Sequence, residues 1–308
     1  MNNSIDLAID DFLKPISDII TNFVFSSFDF YGEGVPFIVC WLLFAGLFFT
    51  FYFRFLNVRY FKKAVEVAIG KYDNENHPGE ITHFQSFTAA MSGTIGLGNI
   101  AGVAVAISIG GPGAMIWMIL TAFFGMTLKF VEVSLGHKYR IIHKDGTVSG
   151  GAIRYLSKGL DDCGLPRLGK FLAIFFAICC IGGSFGGGNM FQANQAFQQI
   201  VEASGGTNSP FYNRGWLGGI LFAFIVGTII FGGIKSIGKV TERLVPMMGI
   251  VYVLSCLVII CDNFLMLPNT FILIFQSAFN LEATTGGVIG SMIAGIKRAV
   301  FSNESGIG

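Results

Sequence analysis

The feature that most constrains this chain is a set of apolar segments long enough to cross a lipid bilayer. Residues 35–53 read VPFIVCWLLFAGLFFTFYF and carry no charge, and about 20 apolar residues are enough for a helix to span the hydrocarbon core. The whole chain is 53% hydrophobic and only 13% charged, whereas soluble domains have about 25% charged residues. The sequence therefore predicts an all-α, polytopic membrane protein.

Further apolar segments follow the first one, and we predict a membrane helix in each. They cover residues 84–109, 112–136, 171–200, 216–234 and 244–261. An apolar, hairpin-like piece at residues 265–279 and a glycine-rich segment from residue 286 come last. The sequence Gly110-Gly-Pro112 lies at the junction of the second and third segments, so we expect a tight hairpin between them. The fourth segment contains GGSFGGGNMFQANQ, which favours a tilt or kink at its middle.

The distribution of Lys and Arg predicts the orientation of these helices. The first 34 residues hold one Lys and six acidic residues, whereas the loops at residues 54–83, 138–170 and 235–243 are rich in Lys and Arg. Loops rich in these residues face the cytoplasm, so the N-terminus is expected outside a plasma membrane that the chain crosses several times. The apolar segments make the bilayer an expected partner. Nucleic acid is not expected, because the net charge is only +1 and there is no basic tail.

The second apolar segment contains a stretch of small residues, Ser92-Gly-Thr-Ile-Gly-Leu-Gly-Asn99. One interpretation is a broken helix, because glycines loosen the backbone and the freed amides and carbonyls of a broken membrane helix can bind a carboxylate and Na⁺. The other is close helix packing through small residues. The residue types alone do not decide between them. A dinucleotide-binding loop also matches Gly96-Leu-Gly98-Asn-Ile-Ala101, but the long apolar context excludes it.

A second stretch, Ser302-Asn-Glu-Ser-Gly-Ile-Gly308, repeats the pairing of a GxG with small polar residues. With the second segment counted as one crossing, an odd number of crossings separates the two stretches, so they enter the membrane from opposite sides. Glycine-interrupted segments at corresponding positions of two halves are typical of transporters with inverted repeats. The similarity of the two stretches favours the broken-helix interpretation of the first one.

Polar residues within the apolar segments are further candidates for function. Asn189 and Gln192 lie three residues apart in the fourth segment, which places them on one helical face, either toward a binding site or in hydrogen bonds between helices. Lys129 and Glu132 are also three apart, and we interpret them as a structural pair at the cytoplasmic end of the third segment. The histidines form no metal-binding pattern, and no nucleophile–base set points to an enzyme.

Five blocks of the sequence resemble the alanine/glycine:cation symporters in the same order along the chain. They begin with FQSFTAAMSGTIGLGNIAGVAVAISIGGPGAMIWM at residue 84 and continue with FGMTLKFVE, SFGGGNMFQAN, GGIKSIGKVTERLVPMMG and RAVFSNESGIG. The resemblance implies a fold similar to that of the leucine transporter, with two inverted repeats, and Na⁺-coupled symport of alanine or glycine. Na⁺ is the implied coupling ion, and no organic cofactor is implied.

The resemblance also implies a division of the chain. Residues 1–34 would be an extracellular N-terminal segment and residues 35–56 a peripheral transmembrane helix. Residues 84–262 would form a complete first five-helix repeat, and residues 263–308 the start of the second. Because family members continue past the block in which this chain ends, the second repeat is expected to be only begun, and the chain to be a C-terminally truncated and incomplete transporter. The alternatives are a channel subunit and a non-transporting membrane scaffold.

The implied site residues come from both glycine-containing stretches and from the fourth segment. Leu97 stands where many family members have Thr, so a side-chain contact at that position is in question. Na⁺ is expected near Gly96 and Asn99. The implied substrate-binding residues are Thr94, Gly96, Leu97, Gly98, Asn99, Asn189 and Gln192, and the implied ion-binding residues of the second broken helix are Ser302, Asn303, Glu304 and Gly306.

Overall fold

The computed structural model of the protein describes residues 12, 14–15, 18–30, 33–74, 79–212, 214–279 and 287–304. Two short antiparallel hairpins interrupt an otherwise helical chain: β1 (Ser27–Phe30) with β2 (Glu33–Pro36), and β3 (Ile141–Ile142) with β4 (Val148–Ser149). The helices are α1 (Phe37–Tyr52), α2 (Leu56–Arg59), α3 (Phe61–Ala68), α4 (His83–Thr94), α5 (Leu97–Gly110), α6 (Ala114–Lys138), α7 (Ala152–Asp162), α8 (Pro166–Gly183), α9 (Phe191–Ala203), α10 (Gly215–Ile230), α11 (Gly233–Asp262), α12 (Leu267–Phe279) and α13 (Gly287–Asn303).

Within the described residues, 4 helical stretches are long and apolar enough to cross a membrane. The first and fifth predicted spans are shorter than the sequence suggested, because α1 and α10 have 16 residues each, or about 24 Å at 1.5 Å per residue. The long stretches are His83–Gly110, Ala114–Lys138, Pro166–Ala203 and Gly233–Asp262.

Three expectations about the middle of the chain can be compared with the structure. The helix of the second segment is broken as predicted, since α4 ends at Thr94 and α5 begins at Leu97. The predicted tight hairpin is confirmed, because α5 ends at Gly110 and α6 begins at Ala114, with Gly111 at a φ of 74° in the turn. The fourth segment is not interrupted; a π-helical stretch, Ser184–Met190, joins α8 to α9.

Two predicted segments differ in the structure. The loop expected at residues 235–243 lies inside α11, which runs for 30 residues through Pro246. Lys and Arg are good helix formers, and a helix of this length exceeds the hydrocarbon thickness, so basic residues do not have to mark a loop. The apolar piece at residues 265–279 is not a hairpin: a short 3₁₀ turn, Phe264–Met266, leads into the single helix α12.

The chain divides into two compact units. The first comprises residues 1–54, 102–128 and 268–303. Its hydrophobic core contains Ala106, Ala114, Met118 and Ala299. Small residues allow backbones to approach closely here, as is usual for helices in membranes: a Cβ on Gly295 would lie 2.5 Å from the carbonyl oxygen of Ala114.

Hydrogen bonds between α1 and α6, and between α13 and α5, add to this packing. Thr50 in α1 is fully buried and its hydroxyl lies 3.1 Å from that of Thr127 in α6. The Ser291 hydroxyl of α13 donates to the carbonyl of Gly110. The buried polar side chains of this unit thus satisfy one another or the backbone, as groups away from water must.

The second unit comprises residues 55–101, 129–267 and 304–308. In it α4 packs on α11, where the Gln85 amide donates to Glu242 at 2.9 Å and Thr88 lies 3.5 Å from Thr241. The two units do not follow the predicted boundaries at residues 35–56, 84–262 and 263–308, and the repeat assignment remains a prediction. Gly306 and most of the first 17 residues lie outside the described residues.

Candidate functional site

The break between α4 and α5 is built by local hydrogen bonds. Thr82 begins α4 with a capping box in which its side chain and that of Gln85 each accept a backbone N–H, the usual signal for a helix start. Ile95 leaves the helical conformation with a ψ of 89°. The side-chain amide of Asn99 then donates to the carbonyl of Thr94 at 2.9 Å, so Asn99 caps a carbonyl that the break frees.

The first turn of α5 presents backbone amides at the break. The first N–H groups of a helix have no acceptor within it, and the helix dipole favours negative charge there. Leu97 and Gly98 occupy this turn, and the carbonyl of Gly96 already accepts the amide of Asn99 at 3.1 Å. Each carbonyl oxygen has two lone pairs. A cation near Gly96 and Asn99 would therefore share the Gly96 carbonyl oxygen with the hydrogen bond from the Asn99 amide.

Gln192 lies against the break. It is half-buried in the first turn of α9, just after the π-helical stretch, and such widened turns often occur at functional sites. A Cβ on Gly96 would lie 3.1 Å from Gln192 Nε2, with the other amide atoms of this side chain at 3.7 and 3.8 Å. The absence of a side chain at Gly96 therefore leaves room for the end of Gln192, and two residues predicted from separate blocks are brought together.

A second polar group stands beside α4. Glu304 follows α13 with a φ of 47°, in the left-handed region that side chains seldom adopt. A Cβ on Gly93 would lie 3.5 Å from Glu304 Oε2. The carbonyl of Glu304 accepts from Lys129 Nζ at 3.3 Å. The carboxylate of Glu304 thus faces the end of α4, one turn before the break.

The remaining predicted residues have other surroundings. The Thr94 hydroxyl donates to the carbonyl of Ala90 at 3.1 Å. The Asn189 amide donates to Ser184 at 2.9 Å within the π-helical stretch, and its side chain is exposed. Asn189 therefore makes no described contact with the break. In the first unit, the amide of Asn303 occupies the space that Gly125 leaves, and Ser302 is half-buried in α13.

The Lys129–Glu132 pair forms as predicted, with 3.2 Å between Nζ and Oε2. Helix α6 continues for nine residues beyond Lys129, to Lys138, and the place of the pair at the cytoplasmic end of the segment stays a prediction. Glu132 is only 6% exposed. A functional role for the pair is the other interpretation, since an ionisable residue inside an apolar segment marks a functional site by default.

Tyr155 in α7 is close enough to Glu132 for the carboxylate to affect the pKa of its hydroxyl. Burial raises the pKa of the Tyr155 hydroxyl, and the negative charge of Glu132 raises it further. Both effects disfavour tyrosinate. Tyr155 is therefore a neutral neighbour of Glu132.

Comparisons with known proteins identify a family and several relatives of this sequence. The sequence matches the model of the sodium:alanine symporter family over residues 17–308. It is 42% identical to the sodium/alanine symporter AgcS of Methanococcus maripaludis, over 89% of this chain and 58% of the relative. It is 38% identical to a putative sodium/proton-dependent alanine carrier protein of Bacillus subtilis, over 87% of this chain and 52% of the relative.

A third relative extends the range of substrates. The probable sodium/glutamine symporter GlnT of Bacillus subtilis is 36% identical over 87% of this chain and 53% of its own length. The chain therefore spans a little more than half the length of these curated relatives. Their names include alanine and glutamine as substrates, so similarity of sequence does not select one amino acid.

Proposed function

The chain belongs to the sodium:alanine symporter family, a family of multi-pass membrane transporters, and we propose that it takes part in the Na⁺-coupled symport of a small neutral amino acid, alanine or glycine. The observation that carries the proposal is the position of the Gln192 amide, 3.1 Å from where a Cβ on Gly96 would lie, at the break between α4 and α5. Interrupted membrane helices form the midplane binding sites of such transporters, and a long polar side chain beside the break adds hydrogen-bonding groups there. The relatives named for sodium and alanine support this substrate class.

We assign the substrate carboxylate and the co-transported Na⁺ to different groups at the break. The backbone amides of Leu97 and Gly98 suit the substrate carboxylate, because they open a helix. The amide of Gln192 adds a hydrogen bond beside them. Na⁺, as the co-transported ion, would take carbonyl oxygens near Gly96 and Asn99. A small substrate fits a site whose walls include glycine rather than side chains.

The proposal includes the membrane arrangement. The N-terminus would lie outside the plasma membrane, and the basic segments at residues 54–83 and 138–170 and at the start of α11 would face the cytoplasm. Residues 84–262 would act as one repeat of an inverted pair, with residues 263–308 opening the other. Transport would follow from rocking of the broken-helix elements around the site.

Uptake by cells that lack alanine transport tests the proposal. The protein is expressed from its own gene, and uptake of labelled alanine, glycine and glutamine is measured with NaCl and with choline chloride. Na⁺-dependent, saturable uptake of alanine or glycine is expected. Glutamine uptake without alanine or glycine uptake would contradict the substrate class, and uptake that is independent of Na⁺ would contradict the coupling.

A further inference from the structure

Lys129 is a charged residue placed well inside an apolar helix. It lies in the sequence Thr-Leu-Lys-Phe-Val of α6, nine residues before the helix ends at Lys138, which is about 13 Å along the axis. Ionisable residues at such positions are costly unless they pair, and they mark functional positions. Its side chain is 29% exposed and that of Glu132 is 6% exposed, so the pair is largely shielded by protein.

The ammonium of Lys129 makes two contacts of different kinds. One is the ion pair with Glu132 in the same helix, one turn away, at 3.2 Å. The other is a hydrogen bond to the main-chain carbonyl of Glu304, at 3.3 Å. Glu132 is close in sequence and anchors the ammonium, whereas Glu304 is 175 residues away. The ammonium therefore links α6 to the residue that follows α13.

Glu304 is itself constrained by its backbone. Its left-handed φ of 47° is uncommon for a residue with a side chain, and such conformations persist only when neighbouring contacts hold them. The bond from Lys129 is one of those contacts. With the main chain held, the carboxylate stands 3.5 Å from where a Cβ on Gly93 would be, beside α4.

We propose that Lys129 is a positioning residue for transport: anchored by Glu132, it fixes the carbonyl of Glu304 and thereby sets where the Glu304 carboxylate stands beside the first broken helix. This inference rests on the proposed function. The carboxylate is the described group next to the break that suits a cation, either Na⁺ or the ammonium of the amino acid. Moving it changes the concentrations of Na⁺ and substrate that half-saturate transport, while helix packing is retained.

The variants separate this role from simple stabilisation. Lys129→Met removes the ammonium but leaves the charge of the buried Glu132 carboxylate without that counter-charge, which is itself destabilising. The double variant Lys129→Met/Glu132→Gln removes both charges, so that no uncompensated buried charge remains. Lys129→Arg retains the charge and the donors. Lys297→Met is the matched control, because Lys297 also donates to a carbonyl, that of Gly34 at 2.9 Å, but at an exposed position.

The measurement is uptake of labelled alanine across a range of Na⁺ and alanine concentrations, normalised to the amount of protein in the membrane. We expect the double variant to reach the membrane and to need about tenfold more Na⁺ or alanine for half-saturation, the scale of one charge-assisted hydrogen bond. Lys129→Arg should recover most of this loss, and Lys297→Met should match the wild type.

Two results have distinct meanings. If the wild type shows no Na⁺-dependent uptake, the proposed function is wrong. If the wild type transports and the double variant has unchanged half-saturating concentrations, the positioning role of Lys129 is wrong and the pair only stabilises the helix.

Discussion

The contact between Gly96 and Gln192 gives the sharpest test of the candidate site. In a Gly96→Ala variant the new methyl group would lie 3.1 Å from Gln192 Nε2, closer than an ordinary van der Waals contact. The amide is the far end of a flexible side chain, so it moves by a few tenths of an ångström rather than displacing the helix. The φ of Gly96 lies outside the left-handed region, so alanine fits its backbone.

These facts predict opposite effects on stability and on binding. Gly→Ala at a compatible position stabilises a protein by about 0.4–1 kcal/mol, so thermal stability should be kept or slightly raised. If the Gln192 amide binds substrate, its displacement should cost about 0.5–1.5 kcal/mol, the net value of one hydrogen bond. That range corresponds to roughly a two- to tenfold loss of affinity.

A double-mutant cycle measures whether the two residues act together. Na⁺-dependent binding of labelled alanine is measured for purified wild type, Gly96→Ala, Gln192→Ala and the double variant. Once Gln192 is truncated, the methyl group has no amide to displace, so Gly96→Ala should cost nothing more, giving a coupling energy of about 0.5–1.5 kcal/mol. Gly219→Ala in α10 is the control, because a Cβ there meets no described atom within 4 Å. Additive losses in the cycle, or unchanged affinity in both single variants, would refute the assignment.

Three further predictions concern packing, capping and topology. Gly295→Ala should lower the free energy of unfolding by about 1–3 kcal/mol through overpacking, because its Cβ would meet a carbonyl oxygen of α6 at 2.5 Å. The melting temperature should fall accordingly. Gly249→Ala is the control, since its Cβ has open space, and it should not lower the melting temperature. Thr82→Ala should remove the capping box of α4 at a cost of about 1 kcal/mol, seen as faster hydrogen exchange in its first turn, and unchanged exchange would contradict it. In a variant without native cysteines, a cysteine at Lys63 should be protected from an impermeant thiol reagent in intact cells and one at Arg214 should react; the reverse pattern would overturn the proposed orientation.

The parts of the fold that the sequence predicted well are those where residue type limits the backbone directly. The break at Gly96 and the turn at Gly111 follow from glycine and from the absence of bulky side chains. The helix at residues 235–243 was missed because basic residues were taken as loop residues, although they also favour helices. The pattern around residue 187 indicated an irregular helix but could not distinguish a kink from a π-helical stretch, since both need only small residues there.

The site was predicted less completely, because its members come together through tertiary contacts. Gln192 was identified from a sequence block, but no local pattern tells which glycine it approaches. Asn189, three residues earlier, was expected on the same face; the π-helical stretch changes the register and the amide bonds Ser184 instead. Lys129 was identified as one of a pair with Glu132. Its hydrogen bond to Glu304 could not be predicted, because the two residues are too distant in sequence for a periodic pattern to relate them.

The surroundings of the glycines bear on the choice that the sequence left open, between a broken helix with a site and close helix packing. At Gly295 a Cβ would meet a backbone oxygen and the start of a tryptophan side chain, which is the packing of small residues between helices. At Gly96 and Gly93 it would instead meet the polar ends of Gln192 and Glu304. A polar end can also fill a packing gap, as the Asn303 amide does at Gly125, but Gly96 and Gly93 lie at a helix interruption, where backbone groups are freed. Polar ends beside an interrupted helix are expected when the space is shared with a polar ligand, and this favours the site interpretation for the second segment.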